Sequence, residues 1–125
     1  MLKRRIAVIV PLLTIATIAP MALASGGLSG TYSTKITKPA SIKGTWKVKF
    51  AAGVDTVYLN GKQEAGGTYR IAGSTITFKK PAAKSGCHKP GKYSFTLSGK
   101  TLKFTKISDP CPNRPEILSH TFTKV

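Results

Sequence analysis

The sequence predicts an all-β domain: a small eight-stranded antiparallel up-and-down barrel carrying one disulfide. Three observations lead there. Apolar and polar residues alternate in run after run, the two-residue period of strands with one buried and one wet face. Glycine-centred joints separate these runs at short spacing, as tight hairpins require. The chain has 125 residues, enough for one modest core and too few for two domains. Closure follows because a flat sheet of eight strands would leave an apolar face bare and two edges unpaired.

The first element is not part of the barrel. Lys3, Arg4 and Arg5 form a positive n-region, Ile6 to Pro20 is almost wholly apolar, and Ala22-Leu23-Ala24 is the small-x-small pattern of a cleavage site. Residues 1–24 therefore read as a signal peptide. The rival reading, a membrane anchor, has close to the length needed to span, but Pro11, Pro20 and the cleavage pattern argue for removal. No cysteine follows the small residues, so lipid attachment there is not expected. Residues 25–125 are expected to be exported, released and monomeric.

Eight strands are expected near 28–37, 44–51, 55–60, 66–72, 74–80, 91–98, 100–107 and 119–125. In the second, Trp46, Val48 and Phe50 share one face and Lys47 and Lys49 the other. Tyr69 and Ile71 flank Arg70; Ile76 and Phe78 alternate with threonines. Tyr93, Phe95 and Leu97 repeat the pattern, as do Leu102 and Phe104. The inward set also takes in Tyr32, Leu59 and Phe122. Four strands open on Gly-x-aromatic: Gly30-Thr31-Tyr32, Gly44-Thr45-Trp46, Gly67-Thr68-Tyr69 and Gly91-Lys92-Tyr93. Their spacing is irregular, so they are strand openings and not a solenoid repeat. Pro112, Pro115 and Glu116 could start one helical turn and no more.

Connections two, four and six are short and connections one, five and seven are long. In an up-and-down meander the odd connections share one end of the barrel. Cys87 and Cys111, the only cysteines, fall in the fifth and seventh. An exported chain with two cysteines implies one pairing, Cys87–Cys111. The loop it closes, roughly 24 residues, corresponds to about 3 kcal/mol of chain entropy.

Gly44-Thr45-Trp46, opening an alternating strand, resembles the Gly-x-Trp of the first barrel strand in the lipocalin/calycin group. The run from Gly67 through Tyr69, Ile71, Gly73 and Ile76 to Phe78 looks more closely like small secreted bacterial lipocalin-like barrel proteins. So does the turn Asp109-Pro110-Cys111 with Arg114 three residues on. The likeness covers most of residues 28–125. The chain departs from an ordinary lipocalin in being shorter, in lacking a C-terminal helix, and in an extra Gly-x-Tyr strand before Gly44. The resemblance implies a calyx-like, lipocalin-like barrel and, as a family tendency, binding of a small apolar molecule.

Two places invite a functional reading. The lumen of an eight-stranded barrel is just wide enough to be filled by its own side chains or to hold one small ligand. If it holds one, Trp46, Tyr69 and Tyr93 are the expected walls, each pairing an apolar face with a polar tip. At the long-loop rim, Arg114 and His88 could meet an anionic head group. The other reading there, which we favour, has Asp109 bracing its own turn while Arg114 pairs with Asp109 or Glu116.

Catalysis is not expected. The four acids are Asp55, Glu64, Asp109 and Glu116, the histidines His88 and His120 stand far apart, and no free thiol remains. General acid–base or metal chemistry needs such groups clustered, so neither cofactor nor metal site is anticipated. The net charge is +16, and all of it but the three charges of Lys3, Arg4 and Arg5 falls on residues 25–125, spread mostly over outward lysines. Spread positive charge favours solubility and attraction to anionic cell-wall polymers or acidic membranes. Specific nucleic-acid binding would want exposed aromatics among those lysines, and here the aromatics alternate onto the opposite face. Two functions follow: a secreted binding module with a small apolar or amphipathic ligand in its lumen, or a filled barrel acting through its basic exterior.

Overall fold

The computed structural model describes residues 28–81 and 87–125, and the expected signal peptide lies outside them. Eight strands follow in chain order: β1 (Gly30–Ile36), β2 (Gly44–Ala51), β3 (Val54–Leu59), β4 (Lys62–Ala72), β5 (Thr75–Pro81), β6 (Gly91–Ser98), β7 (Thr101–Ser108) and β8 (Phe122–Lys124). Each pairs antiparallel with the next. β8 returns to β1 through Tyr32↔Lys124 and Ser33↔Thr123, which closes the barrel. This is the general shape of a lipocalin-like barrel.

Alternation sets the walls. In β2, Trp46, Val48 and Phe50 are buried while Lys47 and Lys49 are exposed. In β7, Leu102 and Phe104 are buried on either side of exposed Lys103. Because the ring closes, no strand is left as a free sheet edge along its whole length, and the lysine face can stay wet. Leu97 was expected inside but is 37% exposed. It precedes the Ser98-Gly99 hairpin, so it reaches the rim, where the wall ends and too little lies opposite to cover it.

Two boundaries differ most from the sequence reading. β4 begins at Lys62 and not at 66, because Asn60 (φ 51°) and Gly61 (φ 85°) form a two-residue turn whose Asn-Gly sequence suits the type I′ hairpin. Gly66 and Gly67, expected at the start of this strand, lie within it, where neighbouring strands press close. A Cβ at Gly66 would come within 2.7 Å of the Asp55 carbonyl oxygen, and one at Gly67 would run into the backbone of Lys80 and Pro81. Finally, β8 is shorter than expected. The segment before it forms a helix, α1 (Asn113–Leu118), six residues where a single turn was anticipated. It buries Leu118 and packs Ile117 against the interior.

The even-numbered hairpin Ala52-Gly53 carries one local misfit: Ala52 holds φ 50°, a left-handed conformation that costs a residue with a Cβ roughly 1–2 kcal/mol. Ala52→Gly is therefore expected to raise stability by about 0.5–1 kcal/mol, read as an increase in urea midpoint at unchanged slope.

The interior has two parts. One is a cluster rich in aromatic rings, including Tyr32, Phe50, Phe78, Tyr93, Phe104 and Phe122. Its rings meet edge to face, with Phe50–Tyr69 centroids 5.3 Å apart, Phe78–Tyr93 5.8 Å and Phe104–Phe122 6.0 Å, the arrangement that ring quadrupoles favour. The other is a smaller cluster of Ile36, Ile42 and Trp46, joined by Val57, Leu59 and Ile117. The first plugs the barrel. The second only lines it.

Candidate functional site: a half-filled lumen with a buried carboxylate

Between the aromatic plug and the smaller cluster lies a cavity of about 420 Å³. Trp46 and Val48 from β2, Val57 and Leu59 from β3, and Ile117 and Leu118 from α1 give it apolar walls. Gly66 and Gly67 contribute bare backbone on the β4 side, and the Cys87–Cys111 disulfide, with Cα atoms 5.9 Å apart, borders it. The volume falls within the range of sites that hold small organic molecules. Trp46 is held rigidly: its Nε1–H donates to the Ile42 carbonyl at 2.7 Å. With its polar tip satisfied, the indole is left to serve as an apolar wall.

Polar side chains, among them Ser41, Glu64, Asn113 and Arg114, line it too, and one acid is buried there. Asp55 faces Gly67 across β3–β4, is only 6% exposed, and lines the cavity. Its Oδ1 has no hydrogen-bond partner. Burial pushes its carboxyl up to about 6, against the pull of its own backbone N–H and of the Arg114 charge. The native protein thus holds this proton more tightly than the unfolded chain, whose aspartates titrate near 3.9. Stability is expected to fall as pH rises from about 4 to about 6, by on the order of 2–3 kcal/mol, and to level off above. Asp55→Asn should flatten that slope in denaturant titrations made across the window.

At the long-loop end a second polar group is built in the opposite way. Asp109 accepts hydrogen bonds from Arg114 Nε at 2.6 Å, Arg114 Nη2 at 2.8 Å, the Cys111 N–H at 2.9 Å and the Tyr93 hydroxyl. Arg114 Nη2 also donates to the Lys89 carbonyl at 2.7 Å, and the guanidinium lies 5.9 Å from the centre of the Phe78 ring. Burial raises the Asp109 carboxyl, but these donors outweigh it and hold it below the usual range. The Tyr93 phenol is driven up by burial and by the neighbouring carboxylate. Asp109 therefore contributes stability that is lost only as pH falls below the ordinary aspartate range. Its window lies below that of Asp55, and its sign is opposite.

This arrangement explains Gly91. A Cβ there would come within 2.6 Å of both Arg114 Nη2 and Asp109 Oδ2. The glycine that opens β6 is the space in which the ion pair sits.

Of the five candidate ligand residues, Trp46 and Arg114 line the cavity. Tyr69 and Tyr93 do not: Tyr69 packs edge-on against Phe50, and Tyr93 belongs to the plug with its hydroxyl on Asp109. His88 is exposed and is not among the cavity-lining residues. Arg114 pairs with Asp109 and not with Glu116. With both Nε and Nη2 committed, Arg114 is poorly placed to receive an anionic head group. The residue that the sequence reading missed is Asp55. A signal was present, since Asp55 shares the parity of Leu59, which was placed inward. Among the described residues, no three or more His, Cys, Asp or Glu side chains converge as metal ligands.

No family model, curated protein or solved structure matches this chain.

Proposed function

We propose that residues 25–125 form a secreted, non-enzymatic binding module, a calycin-type barrel that holds one small apolar or amphipathic molecule beside Trp46. The observation that carries this reading is the division of the lumen. Aromatic rings fill one part, while a cavity of about 420 Å³ remains under apolar walls in the other. Unfilled apolar volume costs stability, because the residues lining it lack packing partners. A site that retains such volume is explained by an occupant. Export is supported by the leader at 1–24 and by the disulfide, which persists in oxidising compartments.

Native mass spectrometry of the protein recovered from the medium of its producing cells should show a bound small molecule that is lost on denaturation. Val57→Phe, which fills the cavity from β3, should abolish that mass and the response of Trp46 emission to lipophilic probes. It should leave the melting temperature unchanged or higher. Probe binding that survives a folded Val57→Phe variant would place the ligand elsewhere.

One observation favours a second reading. On the outer face, Arg70, Lys79 and Lys92 surround Thr75 and Thr77 in a shallow groove across β4, β5 and β6. Register puts Arg70 opposite Thr77, and Thr77 opposite Lys92. Such a row suits an anionic cell-wall or membrane polymer. If this is the functional surface, retention on an anionic polymer falls steeply with salt and is unaffected by Val57→Phe.

A further inference from the structure

We infer that the lumen ligand carries a protonated amine, which pairs with Asp55. This rests on the lumen reading above and names the chemistry of its ligand.

Of the polar side chains that line the cavity, which include Ser41, Glu64, Thr68, Asn113 and Arg114, only Asp55 among the described residues has a buried oxygen without a hydrogen-bond partner. Asp55 is 6% exposed, and its Oδ1 lacks a hydrogen-bond partner. A buried carboxylate oxygen without a donor is among the more costly features a small core can hold, and a donor restores much of that cost. The cost at Asp55 is already borne by the folded protein, so a ligand that supplies the donor gains affinity where an apolar one does not. A cation gains more than a neutral hydroxyl, because a charge-assisted hydrogen bond in low dielectric is about twice as strong as a neutral one.

The backbone N–H of Asp55 acts on its own carboxyl, but among the described residues no cation pairs with it. Arg114, the cation that acts on Asp55, forms its ion pair with Asp109 and holds the Lys89 carbonyl. Asp55 forms no ion pair among the described residues. The other titratable groups near it, the Tyr69 phenol and the cavity-lining Glu64, come from β4 and supply no cation. The outward lysines of β2 and β7 are exposed and are screened within about 8 Å at physiological salt. An anionic head group would meet Asp55 as a like charge, which turns the expected preference away from carboxylates and toward amines. The apolar walls of Trp46, Val57, Leu59 and Ile117 take the hydrocarbon part.

The test compares three ligands of one chain length, n-octylamine, 1-octanol and octanoate, below their micelle concentrations at pH 7.5 and 150 mM salt. Binding is read by calorimetry and by Trp46 emission. Octylamine is expected to bind about tenfold or more tightly than octanol, and octanoate most weakly. In Asp55→Asn, octylamine should fall by about tenfold to the level of octanol, while octanol changes by less than about threefold. Equal affinities of amine and alcohol for the unmodified protein would overturn the inference and leave the lumen reading standing. An amine preference that persists in folded Asp55→Asn would also overturn it. If none of the three binds, the lumen reading falls as well. The comparison on the unmodified protein needs no variant to fold.

Discussion

Asp109→Ala is expected to lower stability by about 3–5 kcal/mol, the largest effect of any single substitution considered for this chain. The Asp109 side chain is fully shielded from solvent and Arg114 is only 20% exposed. Removing the carboxylate leaves that guanidinium largely buried without its counter-charge. It also leaves the Tyr93 hydroxyl and the Cys111 N–H without their acceptor. For a domain of this size, 1 kcal/mol corresponds to roughly 4–8 °C in melting temperature, so a fall of well over 10 °C is expected. Asp109→Ala combined with Arg114→Leu should be less damaging than Asp109→Ala alone, since the orphaned charge goes with its partner. Gly91→Ala should approach the loss seen in Asp109→Ala, because its methyl would occupy the space of the ion pair. If Gly91→Ala is as stable as the parent, the ion pair does not fill that space.

The second large effect is redox-dependent. Cys87 and Cys111 are bonded across a sequence separation of 24 and tie the segment before β6 to the segment before α1. Replacing both by serine, or reducing the bond, is expected to cost about 3 kcal/mol. The disulfide borders the cavity, so the same change should weaken ligand binding beyond what the fall in stability accounts for. Thermal unfolding with and without reductant checks the first part, and calorimetry well below the melting transition checks the second. An unchanged melting temperature under full reduction would contradict the bridge's role.

Much of the barrel was legible because its physics is local. Alternation in Thr45–Phe50 or Leu102–Thr105 declares which side chains point inward whatever the neighbours are. Two cysteines allow one pairing, and an Asp109-Pro110-Cys111 turn followed by Arg114 carries its own partner. Height along the barrel axis was not legible. Tyr69 and Tyr93 do point inward, but the stagger of strands and the bulges at Thr68/Tyr69 and Lys92/Tyr93 set them in the plug, away from the cavity. A strand pattern fixes the face of a residue and not its depth, which depends on the register of every strand around the ring. Asp55 was missed for a different reason. A lone carboxylate beside a hairpin reads as solvated, and only its parity with Val57 and Leu59 betrays it. The Asn60-Gly61 turn is hidden in the sequence because the polar run Lys62-Gln63-Glu64 after it looks like loop. Pairing with β3 makes strand of it.

The central claim, that the space beside Trp46 is a binding site, is tested most directly by two-dimensional NMR during titration with 1-octanol. Saturable shifts confined to Trp46, Val57, Leu59 and Ile117, with Phe104 and Phe122 unmoved, are the expected result. Shifts that never saturate, or that appear only on the outward lysines, would contradict it.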